Sequence, residues 1–526
     1  MTRKEFLELT GKAAMGVGLA GSGLTGLFDD AAAQKPAKPA KPFTLSAKAQ
    51  QAIQKVYRHI EENKQRHIAR LQEYLRQPSV SAQHIGIERC AEMLAGYYRD
   101  LDCQEVEMVK TDGNPGIWAY YDCGVKGAKT IVNYSMYDVQ PVEEKEWTTP
   151  PFAAELVKMD PFPLVLRARG AINSKGSYRM WLNALESIIA VEGKLPVNIM
   201  FTAEGEEELG SPHFHQIIEQ YADRLKTANA VLNPDPTQAL DGSVTMSLGN
   251  KGIVYFELEC SGTDWGRGPT QREIHSSFKA AVDSPVWRLL KALSSMTSED
   301  GNSIMIEHFY DRVAPPSQED EALLAELVKT FNVENWRKAN AVDVFIDNAE
   351  GIDLLKKYLY STTLNLDGIW AGYTGPGTKT ILPHKATCKI DVRLVPNQEA
   401  KDIIPLIRAH LDKHGFTDIK IRQLSGYEWS KTSVTQPVVQ AVLNVYQKNN
   451  IRPVIWPHTG GSAPFYLYTR PPLSLPTCGG GMGHGARAHS VDEYIVIDGN
   501  DRVAGIAEAE KSFVDILYTY AEWKTT

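Results

Sequence analysis

A chain of 526 residues is too long for one hydrophobic core, and two domains are the natural division. Hydrophobic residues make up 43% and charged residues 23%, the balance of a folded globular protein, which excludes a disordered polymer. A formal charge of -8 argues against nucleic acid or an anionic membrane as the main partner and leaves small-molecule or peptide chemistry.

Arg3 and Lys4 precede Phe6 and Leu7, and a Gly-rich apolar stretch follows from Ala13 to Phe28. Ala31, Ala32 and Ala33 offer the small residues a signal peptidase reads, so residues 1–33 are expected to be an export signal cleaved before Gln34. The segment from Thr2 to Leu7 resembles a twin-arginine signal with one arginine exchanged for lysine, which implies a periplasmic location. A membrane anchor is the competing reading, although the apolar run is short for one. After signal cleavage no stable membrane contact is expected. Residues 34–44, rich in Ala, Lys and Pro, read as a linker. The six cysteines (Cys90, Cys103, Cys123, Cys260, Cys388, Cys478) form no CxxC pair; export would permit disulfides, but nothing fixes a pairing.

Ser46 is placed to cap an amphipathic helix carrying Ile53, Val56, Ile60, Ile68, Leu71 and Leu75, which Pro78 ends. From there to residue 245, β-rich runs at Thr130–Tyr134, Val197–Thr202 and Ala230–Leu232 alternate with helical stretches such as Tyr178–Val191. This is the pattern of a layered α/β domain with a central sheet. Residues 246–423 differ: alternating strands at Gly252–Cys260 and Lys385–Leu394 suit a sheet with one solvated face. The expected organisation is a catalytic domain in two parts, 45–245 and 424–526, around an inserted α+β lid and dimerisation domain, 246–423. Ligand sites in open α/β sheets form beyond the carboxyl ends of the strands, so the loops there carry the chemistry.

The loop from Glu204 to Ser211 places glutamates at 204, 206, 207 and 208, a charge density that a bound cation relieves. A solvated charge run is the bland alternative. Further segments sharpen the signal: Tyr134 to Pro141, Glu146 to Phe152, Arg167 to Gly176, Asp235 after its strand, and Ala488 to Glu493. In this order they resemble the carnosine dipeptidase, acetylornithine deacetylase, succinyl-diaminopimelate desuccinylase and aminoacylase family of co-catalytic zinc peptidases. The resemblance covers nearly everything after about residue 45.

Carried over position by position, the resemblance implies Glu207 as general base and Glu208, Asp235 and His489 as metal ligands. It implies Asp138 as the residue that orients a metal-binding histidine, His275 as a lid histidine working across a homodimer, and Arg393 and Ser462 as substrate-binding residues. Two positions depart from it. Met136 stands where the family has its first ligand histidine, and Asn173 stands at the bridging aspartate. A thioether suits zinc poorly, and an amide oxygen bridges two cations poorly. The implied cofactor is therefore zinc or another divalent metal, one ion rather than two, with Asn173 as a weak ligand to it and no ion as the remaining alternative.

The expected activity is metal-dependent hydrolysis of amide bonds in dipeptides or N-acyl amino acids. A different reaction on a peptide-like substrate, not dependent on two metals, and a non-catalytic binding homologue stay open. His213, His215 and His484 read as surface or hydrogen-bonded histidines, and Lys175 is expected to reach across the site beside Asn173.

Overall fold

The computed structural model describes residues 43–524; the expected export signal and most of the expected linker lie outside the described residues. The opening helix, Ala47–Arg76, is capped by Ser46, whose Oγ accepts from the Ala49 N–H at 3.2 Å. At 1.5 Å per residue the helix is about 45 Å long. Ile53, Val56, Ile60, Ile68, Leu71 and Leu75 all face its buried side, where it packs on the helices Lys175–Glu192 and Ile506–Glu522.

These helices cover one face of a six-stranded sheet. Its strand order is 105–109, 116–121, 198–204, 130–136, 230–234, 477–480. The last four strands run parallel, and the first two close one edge as antiparallel neighbours. Strand 130–136 is buried along nearly its whole length, as a strand covered on both faces must be. The second face is covered by the helix Phe214–Gln220 with Tyr221 and Tyr468. A separate four-stranded sheet, containing 162–167 paired with 494–498, carries the loops 168–174 and 487–493 toward the carboxyl ends of the parallel strands.

The second body is a four-stranded antiparallel sheet of order 365–371, 385–394, 252–261, 420–427. Strand 252–261 alternates buried and half-buried residues, and the helices Pro285–Ser295 and Ala400–Lys413 cover its inner face. Its outer face and edge strand 365–371 are open to solvent. The segment from Gln318 to Tyr360 does not join this sheet. Leu324, Leu327, Leu355 and Leu359 pack instead on Val454 and Trp456, beside the larger sheet. All six cysteines are free thiols.

Candidate active site

The parallel strands deliver the acidic residues to one rim. Strand 130–136 ends at Met136, strand 198–204 leads into the short turn Glu207–Leu209, and strand 230–234 leads into Asp235. Glu208 is the most heavily contacted of them. Its Oε2 accepts from Gln140 Nε2 at 2.8 Å and stands 3.2 Å from His489 Nε2. Its Oε1 accepts from Asn173 Nδ2 at 2.8 Å, and the same Nδ2 lies 2.8 Å from His489 Nε2. An amide nitrogen only donates, so the imidazole nitrogen facing it accepts. The other end of the amide, Oδ1, is buried with no hydrogen-bond partner.

The loop bearing Asn173 is pinned by Glu493. One carboxylate oxygen accepts from the Ile172 and Asn173 N–H groups, both at 2.9 Å. The other accepts from Arg169 Nη1 at 2.7 Å and the Gly170 N–H at 3.1 Å. Gln140 and Glu493 were not singled out from the sequence. Glu493 had a signal, an acid four residues after His489, but three of its four donors are backbone N–H groups that no side-chain pattern reveals.

Asp138 accepts from the backbone N–H groups of Glu207 and Glu208, each at 3.1 Å, and so fixes the turn that presents both glutamates. In this chain it orients that turn rather than a metal-binding imidazole, because the side chain at 136, a thioether, has no N–H to offer. Burial, and then the charge of Glu208, push the Asp138 carboxyl up to about 7. Glu207 is held well above its ordinary value by burial, then by Glu208, Asp138 and Glu204. Glu204, behind it, is pushed to about 8 by burial although Tyr134 Oη and Ser211 Oγ donate to it at 2.8 and 2.7 Å. A buried carboxyl with raised proton affinity beside a site is a recognisable proton-transfer group.

A dinuclear zinc centre does not fit these residues. Met136, 1% exposed, is packed in an apolar cluster with Trp118, Tyr134, Phe214 and Tyr468. Asp235 lines a cavity with Met136, Ile172, Ser174 and Asn233, and burial alone raises its carboxyl to about 7. No imidazole or second carboxylate joins it there. Among the described residues, no group of three or more His, Cys, Asp or Glu side chains is gathered that could hold a metal ion. The expected trio of Glu208, Asp235 and His489 is thus not gathered into one ligand set. What remains together is Glu208, His489 and the Asn173 amide, which turns its Nδ2 to both and leaves its Oδ1 unpartnered.

Lys175 does not reach across the site. Its Nζ donates to the Gln77 carbonyl at 2.5 Å and to Ser79 Oγ at 3.3 Å, and it lies over the Tyr74 ring. His484 is a core histidine between the Gln238 carbonyl and Tyr494 Oη, and His213 pairs with Glu206 at 2.7 Å. Arg393, on the lid strand 385–394, donates from Nη1 to Ser462 Oγ at 3.0 Å, so the two expected substrate-binding residues meet where the two bodies join. Lys251 is close enough for the Arg393 charge, after burial, to lower its ammonium to about 7. His275 is exposed on the lid and touches Ser277 and Thr380 of its own domain.

A parallel sheet with carboxylates and an imidazole at its carboxyl rim, joined by an antiparallel lid that brings an arginine, defines a hydrolase scaffold of the metallopeptidase class. The family model for peptidase family M20/M25/M40 matches residues 134–509, and the chain belongs to that family. Peptidases of this family are metal-dependent. The chain is 26% identical over 470 residues to the Cys-Gly metallodipeptidase DUG1 of Candida albicans, covering 84% of this chain and 93% of that one. It is 28% identical over 287 residues to the human Beta-Ala-His dipeptidase, an alignment covering 54% of this chain and 53% of that protein. Among solved structures, the M20 family metallo-carboxypeptidase Sso-CP2 of Sulfolobus solfataricus superposes with a TM-score of 0.76 at 30% identity, covering 86% of this chain and 99% of that one.

Proposed function

We propose that this chain hydrolyses the amide bond of dipeptides or N-acyl amino acids, with Glu207 moving the proton and Arg393 anchoring the substrate carboxylate. The observation that carries this reading is the meeting of the Glu207–Glu208 turn with His489 at the rim of the sheet. The dipeptidase and carboxypeptidase names of the relatives support small peptides with a free carboxylate. One divalent ion, zinc or another, belongs to the reading, and Glu208, His489 and Asn173 would hold it. When bound, such an ion supplies a more acidic water and a positive charge opposite the developing oxyanion.

The side chains do the rest. Glu207 takes the proton of the attacking water and returns it to the leaving amine. Asp138 keeps Glu207 at its post through the backbone of the turn. Arg393 offers two parallel N–H groups to a carboxylate, and Ser462 steadies its guanidinium. Replacing Arg393 by methionine is expected to raise KM about tenfold to a hundredfold while kcat changes far less, because charged hydrogen bonds of this kind anchor substrate and transition state alike. A turnover screen over dipeptides and N-acyl amino acids, with and without added divalent metal, checks it. An unchanged KM removes Arg393 from substrate binding.

A homodimer in which His275 reaches the partner's site completes the proposal. Its support is the lid surface, where the edge strand exposes Ile369 and Trp370 and the covering helix exposes Trp287, 61% accessible. Sedimentation of a monomer at full activity would refute it. Export to the periplasm is proposed from the leader, and sequencing of the mature protein from Gln34 checks it.

A further inference from the structure

The proposed carboxylate anchor is braced by a segment that joins neither sheet. The helix Gly351–Tyr360 buries Leu354, Leu355 and Leu359 beside Val454 and Trp456, and its last turn carries Tyr358. The Tyr358 ring meets Trp336 edge to face at 4.9 Å, and Trp336 stacks on Phe345 at 5.2 Å, so the phenol has an aromatic backing. Gly460 stands directly in front of it. A Cβ at 460 would lie 2.4 Å from Tyr358 Oη and 2.5 Å from its Cζ. The φ of Gly460 is not left-handed, so this glycine serves close approach rather than a turn. The Gly460 N–H donates to the phenol oxygen.

Two residues on, Ser462 Oγ accepts from Arg393 Nη1 at 3.0 Å, and among the described residues it is the guanidinium's only hydrogen-bond partner. Asp391 Oδ2, 3.8 Å from Arg393 Nε, is beyond hydrogen-bond reach. The chain just past Tyr358 holds Arg393 by its backbone. Thr362 Oγ1 donates to the Arg393 carbonyl at 2.8 Å, and the Arg393 N–H donates to Thr363 Oγ1 at 3.1 Å. Residues 358–363 thus fix both the strand end that carries the guanidinium and the loop that steadies it.

We propose that Tyr358 is a positioning residue for substrate: it seats the Gly460–Ser462 loop so that Ser462 holds the Arg393 guanidinium with its free N–H groups toward a terminal carboxylate. The helix Gly351–Tyr360 then sets, through Tyr358, the preference for peptides with a free carboxyl end. A small displacement of a binding group is enough to weaken it. This inference rests on the reading of Arg393 as the substrate anchor.

The test is calorimetric binding to the full chain in a Glu207→Gln background, where turnover is suppressed. The probes are the best-bound member of a dipeptide panel and its C-terminal amide, which lacks the carboxylate. The background protein is expected to prefer the acid by about tenfold or more, the weight of a charge-assisted pair. Tyr358→Phe keeps the ring and its packing. It is expected to lose about threefold to tenfold in affinity for the acid, while affinity for the amide and the melting temperature stay unchanged. Arg393→Met should erase the preference, and Tyr358→Phe should add nothing to it, as residues acting through one contact behave. Unchanged affinity of Tyr358→Phe for the acid overturns the proposal. So does an equal loss for acid and amide, or a full further loss on top of Arg393→Met. A background protein that binds neither probe, or both alike, removes Arg393 as anchor and this inference with it. The expected binding pattern without turnover by the unsubstituted chain removes the hydrolase reading and leaves the positioning role intact.

Discussion

Replacing Glu207 by glutamine is expected to lower kcat on any hydrolysed dipeptide by about a hundredfold to ten-thousandfold, the range over which a positioned proton carrier contributes. The amide keeps the shape of the side chain, but it can neither take a proton from water nor hand one to the leaving amine. Glu207 is the member of the acidic group with this freedom. Glu208 accepts from Gln140 and Asn173 and lies against His489, Asp138 is spent on two backbone N–H groups, and Glu204 is held by Tyr134 and Ser211. Because Asp138 holds the backbone of the turn and not the Glu207 side chain, the variant should fold with the parent's melting temperature. KM should stay within a few-fold, since Arg393 is untouched. Steady-state kinetics on the best substrate of the screen, beside a melting curve, measure both. A variant that keeps half of the parent's kcat would assign proton transfer elsewhere.

How far the sequence alone reaches can be seen in particular residues. Three strands and their acidic loops were legible because buried parallel strands are short apolar runs, and each of these three is followed by a carboxylate at its exit; the fourth parallel strand, 477–480, has none and was not read from the sequence. Ser46 was legible as a cap because its hydroxyl precedes a long periodic helix. The Arg393–Ser462 contact joins positions that the family resemblance named separately, and only the fold shows that they touch. Lys175 was misjudged for a physical reason. Next to Asn173 in sequence, it begins a helix, and its stem leads Nζ away to the carbonyl of Gln77. Met136 is polar-site residue by position but core residue by packing, and the apolar neighbours that decide this come from strands and helices far apart in the chain. The orientation of the Asn173 amide was beyond reach for a similar reason. Which end faces Glu208 depends on charge and hydrogen-bond balance among four loops, not on the residue type.

Restoring both exchanged positions together, Met136→His with Asn173→Asp, is expected to create a second ion site and to raise kcat by about a hundredfold, the scale on which a single charge-stabilising group acts on a developing oxyanion. The reasoning begins with Asp235. It lies with Met136 on one cavity, its carboxyl pushed to about 7 by burial and by nothing else, so it is an acid lacking a partner. An imidazole at 136 faces it with a nitrogen donor, and a carboxylate at 173 supplies the oxygen that one amide cannot share between two cations. Asp138, two residues on, then gains an N–H to accept, in competition with the turn it now holds. The metal-free double variant should be less stable than the parent, because a polar ring replaces a thioether among Trp118, Phe214 and Tyr468 and a new anion faces Glu208. Zinc should reverse that loss and raise the melting temperature beyond the parent's, since an ion bound only by the folded state stabilises it in proportion to the logarithm of its concentration. Elemental analysis should find about two zinc ions per chain against at most one in the parent. A double variant that folds, binds two ions and still hydrolyses no faster would show that residues 136 and 173 are not what limits the reaction, and would shift attention to the lid and its histidine.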